Sequence, residues 1–416
     1  MSLAEIHKKA KLVMIPSGFK ADEILYSVLP NDGSGNFTAS GDTDSTRVNK
    51  DGLIEKVTTL VPRLNYDFGN PKNPHLLLES QRTNKLGYSE DFSNAYWTKT
   101  NINTSSSNFN VTTSPDGSIN ADKLVPDTTS GQHKIDRTET VTNGATVALS
   151  VFVKKAEYEF CCLYEVNSSK GKFFDLSNGT IGGDFVGTPT TSKIESLDND
   201  WFRVSLTTTV PSTSARWILY VCDTISNTSF AGDNSKGIFV WGTQLEEGAF
   251  ETTYIPATST AGVTRSQDTC TGGGSSSIFN DSEGTLFLEI SRPINDSTTR
   301  SISISDGGSS DRVIIQYISG FILGIVASET TTVATLLFST TSTSLNKIAL
   351  RYKKNDFAMY VNGTQAGTDT SGNAPVGLSS FDFNDGTGSQ KYEGQCAQAM
   401  YFDTALTNAE LTTLTT

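Results

Sequence analysis

With 416 residues, the chain is long enough for several separately cored units, and three are expected. Lys and Arg number 32 against 45 Asp and Glu, a net charge of −13. No basic block is dense enough to neutralise a row of phosphates, which argues against nucleic acid as a partner. Ser, Thr and Gly abound at the expense of long apolar runs. That balance favours short strands joined by polar turns, because Thr suits a half-exposed pleated surface and Gly supplies turn geometry.

In chain order, residues 2–11 predict a short helix capped by Ser2, with Glu5 at the capping-box position and Lys8, Lys9 and Lys11 toward its C-terminal end. The apolar stretch that follows is too short for a signal-peptide core, and no run reaches the roughly 18 apolar residues of a membrane helix. Export by a signal and membrane insertion are therefore not expected. Turn signals at 31–36, 40–44, 50–52 and 69–74 then leave only brief strand candidates, Glu23 to Val28 and Lys56 to Val61. Residues 1–90 are not expected to form a large core by themselves.

From 91 to 256 the predicted strands lengthen: Thr146 to Lys154, Tyr158 to Val166, Trp201 to Val210, Arg216 to Asp223 and Gly237 to Leu245. Within Arg216 to Cys222 nearly every residue is apolar, as in a strand covered on both faces. A sandwich is the expected result. Residues 257–277, ending in three Gly and three Ser, read as a flexible linker. A second sandwich is predicted over 278–416, from Thr285 to Ser291, Ser301 to Ser305, Arg312 to Ile318, Phe321 to Ala327, Lys347 to Tyr352 and Phe357 to Val361. The chain closes on a predicted helix, Asn408 to Leu414, with Thr407 and Glu410 at capping-box spacing. The fold class is thus all-β, an N-terminal attachment region followed by two β-sandwich (jelly-roll) domains.

Three stretches carry a resemblance: Thr46 to Glu55, Val61 to Tyr66, and Leu76 to Asn84 with its Leu-Leu-Leu-Glu-Ser-Gln-Arg-Thr-Asn. Together they resemble an N-terminal signature of tail-fibre and other virion-surface proteins of bacteriophages. The module after it has Tyr88 to Lys99, Ser114 to Gly117, Ala121 to Leu124 and Trp241 to Gly248, and looks like a carbohydrate-binding-module jelly roll. Leu345 to Tyr352, Asp356 to Gly363 and the closing Asp403 to Leu411 look like a laminin-G or concanavalin-A-type sandwich. The resemblance implies a head- or tail-fibre or spike subunit at the virion surface, assembled in the host cytoplasm. It also implies a homo-oligomer, by analogy a trimer, touching other virion proteins through its N-terminal region and host-surface glycan through its sandwiches. No heptad or β-helix repeat in the sequence imposes that trimer.

Sugar recognition needs flat aromatic faces and polar groups for hydroxyls, which makes Trp97, Trp201, Trp217 and Tyr220 candidates, with Arg216 and Asp223 close in sequence. Against that stands the habit of Trp and Tyr in sandwich strands to be core. Calcium is the one cofactor the resemblance brings in, and Asp306, Asp311, Asp382 and Asp385 lie in Gly-rich turns without forming a ligand series. The five cysteines, Cys161, Cys162, Cys222, Cys270 and Cys396, lack metal-ligand spacing and read as small buried residues or free thiols, with a single disulfide as the alternative.

His7, His75 and His133 stand apart from one another, and the sequence contains no GxSxG, Walker, GxGxxG or HExxH motif. A concanavalin-A-like glycosidase needs an alternating acidic strand, whereas Thr285 to Ser291 carries the single Glu289. Glu246, Glu247 and Glu251 read as a solvated rim. Non-catalytic adhesion is the expected function, with a structural adaptor and a glycan depolymerase as the rival readings.

Overall fold

Strands begin and end where the apolar runs meet turn residues. The computed structural model describes residues 2–16, 25–67 and 70–416, with the backbone alone for 70–72. It is all-β, built of antiparallel sheets packed as sandwiches, with a short helix near each end. The eleven strands predicted beyond residue 91 are present within two residues of their expected limits, for example Arg312–Ile318, Phe357–Val361 and Ser214–Cys222. Among the described residues no helix is long and apolar enough to cross a membrane.

The middle sandwich packs a six-stranded sheet against a seven-stranded one. In the first, Phe202–Thr209, Thr146–Lys155 and Ile238–Glu247 run side by side; in the second, Phe160–Glu165, Ser214–Cys222 and Ser130–Thr140 do. Leu149, Val151, Leu163, Leu206, Trp217 and Leu219 meet between the sheets at 0 % exposure. Each such side chain contributes about 1.5–3 kcal/mol by leaving water. The C-terminal sandwich sets a five-stranded sheet against an eight-stranded one, with Leu286, Ile302, Ile322, Leu350 and Met359 in its core.

Residues 1–90 do not stand apart from these sandwiches. Leu12–Met14 and Asn70–Leu78 both pair with Gly394–Phe402, so N-terminal strands complete the eight-stranded C-terminal sheet. Ile6 of the helix Leu3–His7 packs with Leu411 and Leu414 of the helix Asn408–Thr415 on that sheet's outer face. Both capping boxes form as their spacing predicts, although the first helix stops before its lysines. Of the candidate strand Glu23 to Val28, residues 23 and 24 lie outside the described residues, and Leu25 makes an isolated bridge to Phe37. The second candidate is displaced to Ile54–Lys56.

The expected linker is also corrected. Within 257–277, Val263–Arg265 pairs with Arg82–Asn84 and Thr269–Thr271 pairs with Thr38–Ser40. Arg265 is fully buried, its guanidinium donating to Glu79 at 2.6 Å and to the Ser80 carbonyl at 2.6 Å. Polar sequence here is structured because distant strands and a buried ion pair hold it, which composition does not reveal.

Candidate functional site

Period-two alternation decides what each residue of Ser214–Cys222 can do. Ala215, Trp217, Leu219 and Val221 face the sandwich core, while Ile218, Tyr220 and Cys222 belong to a second apolar cluster on the other face. Arg216 shares that outer face. Neighbouring strands add to it in register: Lys134 and Cys162 lie opposite Tyr220, Asp136 and Tyr164 opposite Ile218, and Thr138 opposite Arg216.

Phe185 folds over this face, its ring 5.2 Å from Tyr164, 5.6 Å from Phe173 and 5.4 Å from Tyr220. The Lys134 ammonium sits 5.5 Å from the Tyr220 ring centre. Arg216 Nε donates to Asp136 Oδ2 at 3.0 Å, and Asp136 is only 4 % exposed. Its other oxygen, Oδ1, is buried without a hydrogen-bond partner among the described residues. Burial, reinforced by the neighbouring Cys162 and Tyr164, pushes the Tyr220 hydroxyl pKa up and keeps it a neutral donor. The outer face therefore presents half-buried rings, Tyr164 and Phe185, beside a guanidinium–carboxylate pair and an ammonium.

Only part of the predicted sugar site is assembled. Arg216 and Tyr220 share this face, Tyr220 itself 3 % exposed beneath Phe185, but Trp217 and Trp97 lie in the core at 0 % and 2 % exposure, their ring centres 5.5 Å apart and tilted. Trp201 is equally buried, donating to the Thr113 carbonyl at 3.0 Å. These three rings cannot meet a sugar because protein covers both of their faces. Asp223 lies just past the strand end, accepting from Asn227 Nδ2 at 2.9 Å. Sequence reasoning missed Asp136, Lys134, Tyr164 and Phe185, although buried His133 and Ile135 alternating with Lys134 marked a strand with a polar outer face.

The four aspartates considered for calcium serve backbone donors instead. Asp311 accepts from Val376 N at 2.9 Å, Asp382 from Gly272 N at 2.8 Å and Asp306 from Gly308 N at 2.9 Å. Asp385 accepts from Thr387 and Ser389 in its own turn. Among the described residues no group of three or more His, Cys, Asp or Glu side chains could hold a metal ion. The expected acidic rim is corrected in two members, Glu246 and Glu251, the latter with its side chain 5 % exposed. Glu246 is fully buried, receiving Thr252 N at 2.9 Å and Thr252 Oγ1 at 2.5 Å, while Glu247 and Glu251 pair with Lys85 and Lys193 at 2.9 Å each. Glu289 accepts from Gln398 at 2.6 Å, and His133 lies fully buried between the carbonyls of Asn101 and Phe230.

No family model matches the chain, and no curated protein matches it. Among solved structures, the CBM40 of the Ruminococcus gnavus IT-sialidase bound to α2,3-sialyllactose is similar at 15 % identity and a TM-score of 0.29, covering 35 % of this chain and 94 % of that one. The leech intramolecular trans-sialidase has 14 % identity and a TM-score of 0.28, covering 33 % of this chain and 23 % of its own. A heptameric SAP-like pentraxin from Limulus polyphemus has 13 % identity and a TM-score of 0.26, covering 32 % and 70 %. Alignments of this depth span about a third of the chain and assign no ligand to it.

Proposed function

We propose that the chain is a non-catalytic, glycan-binding subunit at the surface of a bacteriophage particle, with the outer face of the seven-stranded sheet as its sugar site. One observation carries the binding part: half-buried Tyr164 and Phe185 lie beside the Arg216–Asp136 pair and Lys134 on one sheet face. Rings of this kind take the C–H face of a pyranose, and the flanking charged groups take its hydroxyls. Arg216 Nε donates to Asp136 Oδ2 at 3.0 Å, which holds the guanidinium in place on this face. Placement on a virion is supported by the resemblance of residues 46–99, and a homotrimer would let weak single sites add by avidity.

The test is a glycan array probed with the full chain and with Tyr164→Ala and Arg216→Ala. Each variant is checked for a retained fold by circular dichroism, Arg216→Ala being expected to melt lower because it leaves the buried Asp136 carboxylate unpaired, and each is expected to weaken binding at least tenfold. Unchanged array binding by both folded variants would sink the assignment of this face.

A further inference from the structure

A groove runs between the outer face of the six-stranded sheet and the N-terminal strands that cross to the C-terminal sandwich. It consists of two cavities of about 410 and 360 Å³ that share Leu77, Glu79, Lys193, Glu195, Glu251 and Gln395. Each falls in the roughly 300–1,000 Å³ range of small-molecule sites.

On the groove floor, Glu195 and Phe152 flank Arg203 in register, so the three side chains share one face of adjacent strands. Such neighbours have Cβ atoms about 4.5–5.5 Å apart, close enough for an ion pair. None forms. Arg203 is 7 % exposed, with its guanidinium 5.4 Å from the Phe152 ring centre. Its one hydrogen bond among the described residues runs from Nη2 to Ser150 Oγ at 3.0 Å, and Nε has no partner. Glu195 remains open to solvent along the groove, while the surrounding walls desolvate its carboxyl and raise its pKa, with Arg203 opposing the rise. A guanidinium and a carboxylate thus sit opposite each other on paired strands with no ion pair between them.

The remaining charges narrow the choice of occupant. Lys193 is held by Glu251 at 2.9 Å, Arg47 by Glu55 at 2.8 Å, Glu79 by Arg63 and Arg265 at 2.8 and 2.6 Å, and Glu393 by Arg300 at 3.1 Å. Buried Arg292 spends its guanidinium on the carbonyls of Ile318, Thr340 and Ser342, and Asp67 lies at the exposed rim, 3.9 Å from His75 Nδ1. Arg203 and Glu195 are opposite in sign, so a ligand bridging them needs one acceptor and one donor and no net charge. Neighbouring hydroxyls of a sugar ring supply both: one accepts from the guanidinium and the next donates to the carboxylate. From this we infer that the groove is a second carbohydrate site, taking a neutral, hydroxyl-rich oligosaccharide at the junction of the two sandwiches. The inference rests on the glycan-binding reading but not on the seven-stranded face.

The experiment uses the full chain on a printed array of neutral and acidic oligosaccharides. It compares wild type, Glu195→Ala, Lys193→Ala and the double variant Tyr164→Ala with Arg216→Ala, each checked by circular dichroism to be folded at the assay temperature. Glu195 and Lys193 are both exposed, so neither truncation removes core packing. The groove assignment predicts a neutral-glycan signal that survives the Tyr164/Arg216 double variant and falls about tenfold in Glu195→Ala. A neutral signal lost in the double variant but unchanged in Glu195→Ala and Lys193→Ala overturns the groove and leaves the sheet face standing. A neutral signal that falls in Glu195→Ala upholds the groove, and the face is then judged on the remaining glycans: binding of those that is also unchanged in the double variant overturns the face alone. An array blank for the wild type overturns both.

Discussion

At the scale of single residues, burial decides chemistry more than residue type does. Asp122 shows this in a form open to test. It is 1 % exposed and accepts from the backbone N–H of Phe92 at 2.9 Å and of Asn110 at 2.8 Å, tying two loops to the strand Ile119–Leu124. Burial raises its pKa to about 6 despite those two donors. An acid whose folded pKa lies above its unfolded value of 3.8 binds its proton more tightly when folded. Its contribution therefore favours the folded state below pH 3.8 and is lost as pH rises to about 6. At 1.36 kcal/mol per unit, the loss is about 3 kcal/mol. In Asp122→Asn that decline is expected to vanish, so urea unfolding at pH 4 and pH 6.5 should give a smaller stability difference than in wild type. An equal difference in both proteins would refute the assignment. The same rule explains the tryptophans: their type suggested sugar contact, but Trp97 and Trp217 fill space between sheets.

At the scale of elements, the legible strands were those whose apolar residues announce them. Thr146–Lys155 and Phe357–Val361 bury nearly every side chain, and both were plain in the sequence. Ser130–Thr140 escaped notice because His133, Asp136 and Glu139 break its apolar pattern, and with it went half of the candidate site. Gly394–Phe402 escaped for a related reason, as Gln395 and Gln398 interrupt its apolar residues. The segment 257–277 is the extreme case: its strands Val-Thr-Arg and Thr-Cys-Thr carry little hydrophobic signal, and their partners lie some 180 to 230 residues earlier in the chain. Pairing at that separation leaves no local trace, so composition read as a linker. Protease sensitivity separates the two descriptions, since a flexible linker is cut readily and a paired strand is not. Under native conditions trypsin is expected to spare Arg265, whose side chain is fully buried. Early cleavage after Arg265, seen by mass spectrometry of a short digest, would restore the linker.

At the scale of the whole molecule, the signature stretch turns out to bind the chain to itself. Arg63 and Arg265 enclose Glu79, and the Arg63 guanidinium also meets Asp268. Burial alone would raise the Glu79 pKa, yet the two guanidiniums outweigh it and hold it at about 2. Asn84, fully buried, donates to the carbonyls of Thr243 and Ile255 and accepts from Leu86 N and Leu245 N. These contacts join the N-terminal strands to the end of the middle sandwich and to the segment before the C-terminal one. The resemblance was legible as a motif, but its work inside the fold was not, because each partner lies far away in sequence.

One consequence can be measured. A fragment of residues 91–416 keeps both predicted sandwiches but loses Leu12–Met14 and Asn70–Leu78, which leaves Gly394–Phe402 paired only with Glu283–Ile290. It also strips Arg265 of Glu79, and an uncompensated buried charge costs about 3–5 kcal/mol. The unpaired strand positions add a template for aggregation. The fragment is therefore expected to aggregate or to unfold at a much lower temperature than the full chain, read by light scattering and circular dichroism. A soluble fragment melting within about 2 °C of the full chain would mean that the N-terminal strands are ornaments on two self-sufficient sandwiches. If instead it collapses, binding assays require the whole chain, because the groove's N-terminal wall and the C-terminal sheet share Asn70–Leu78.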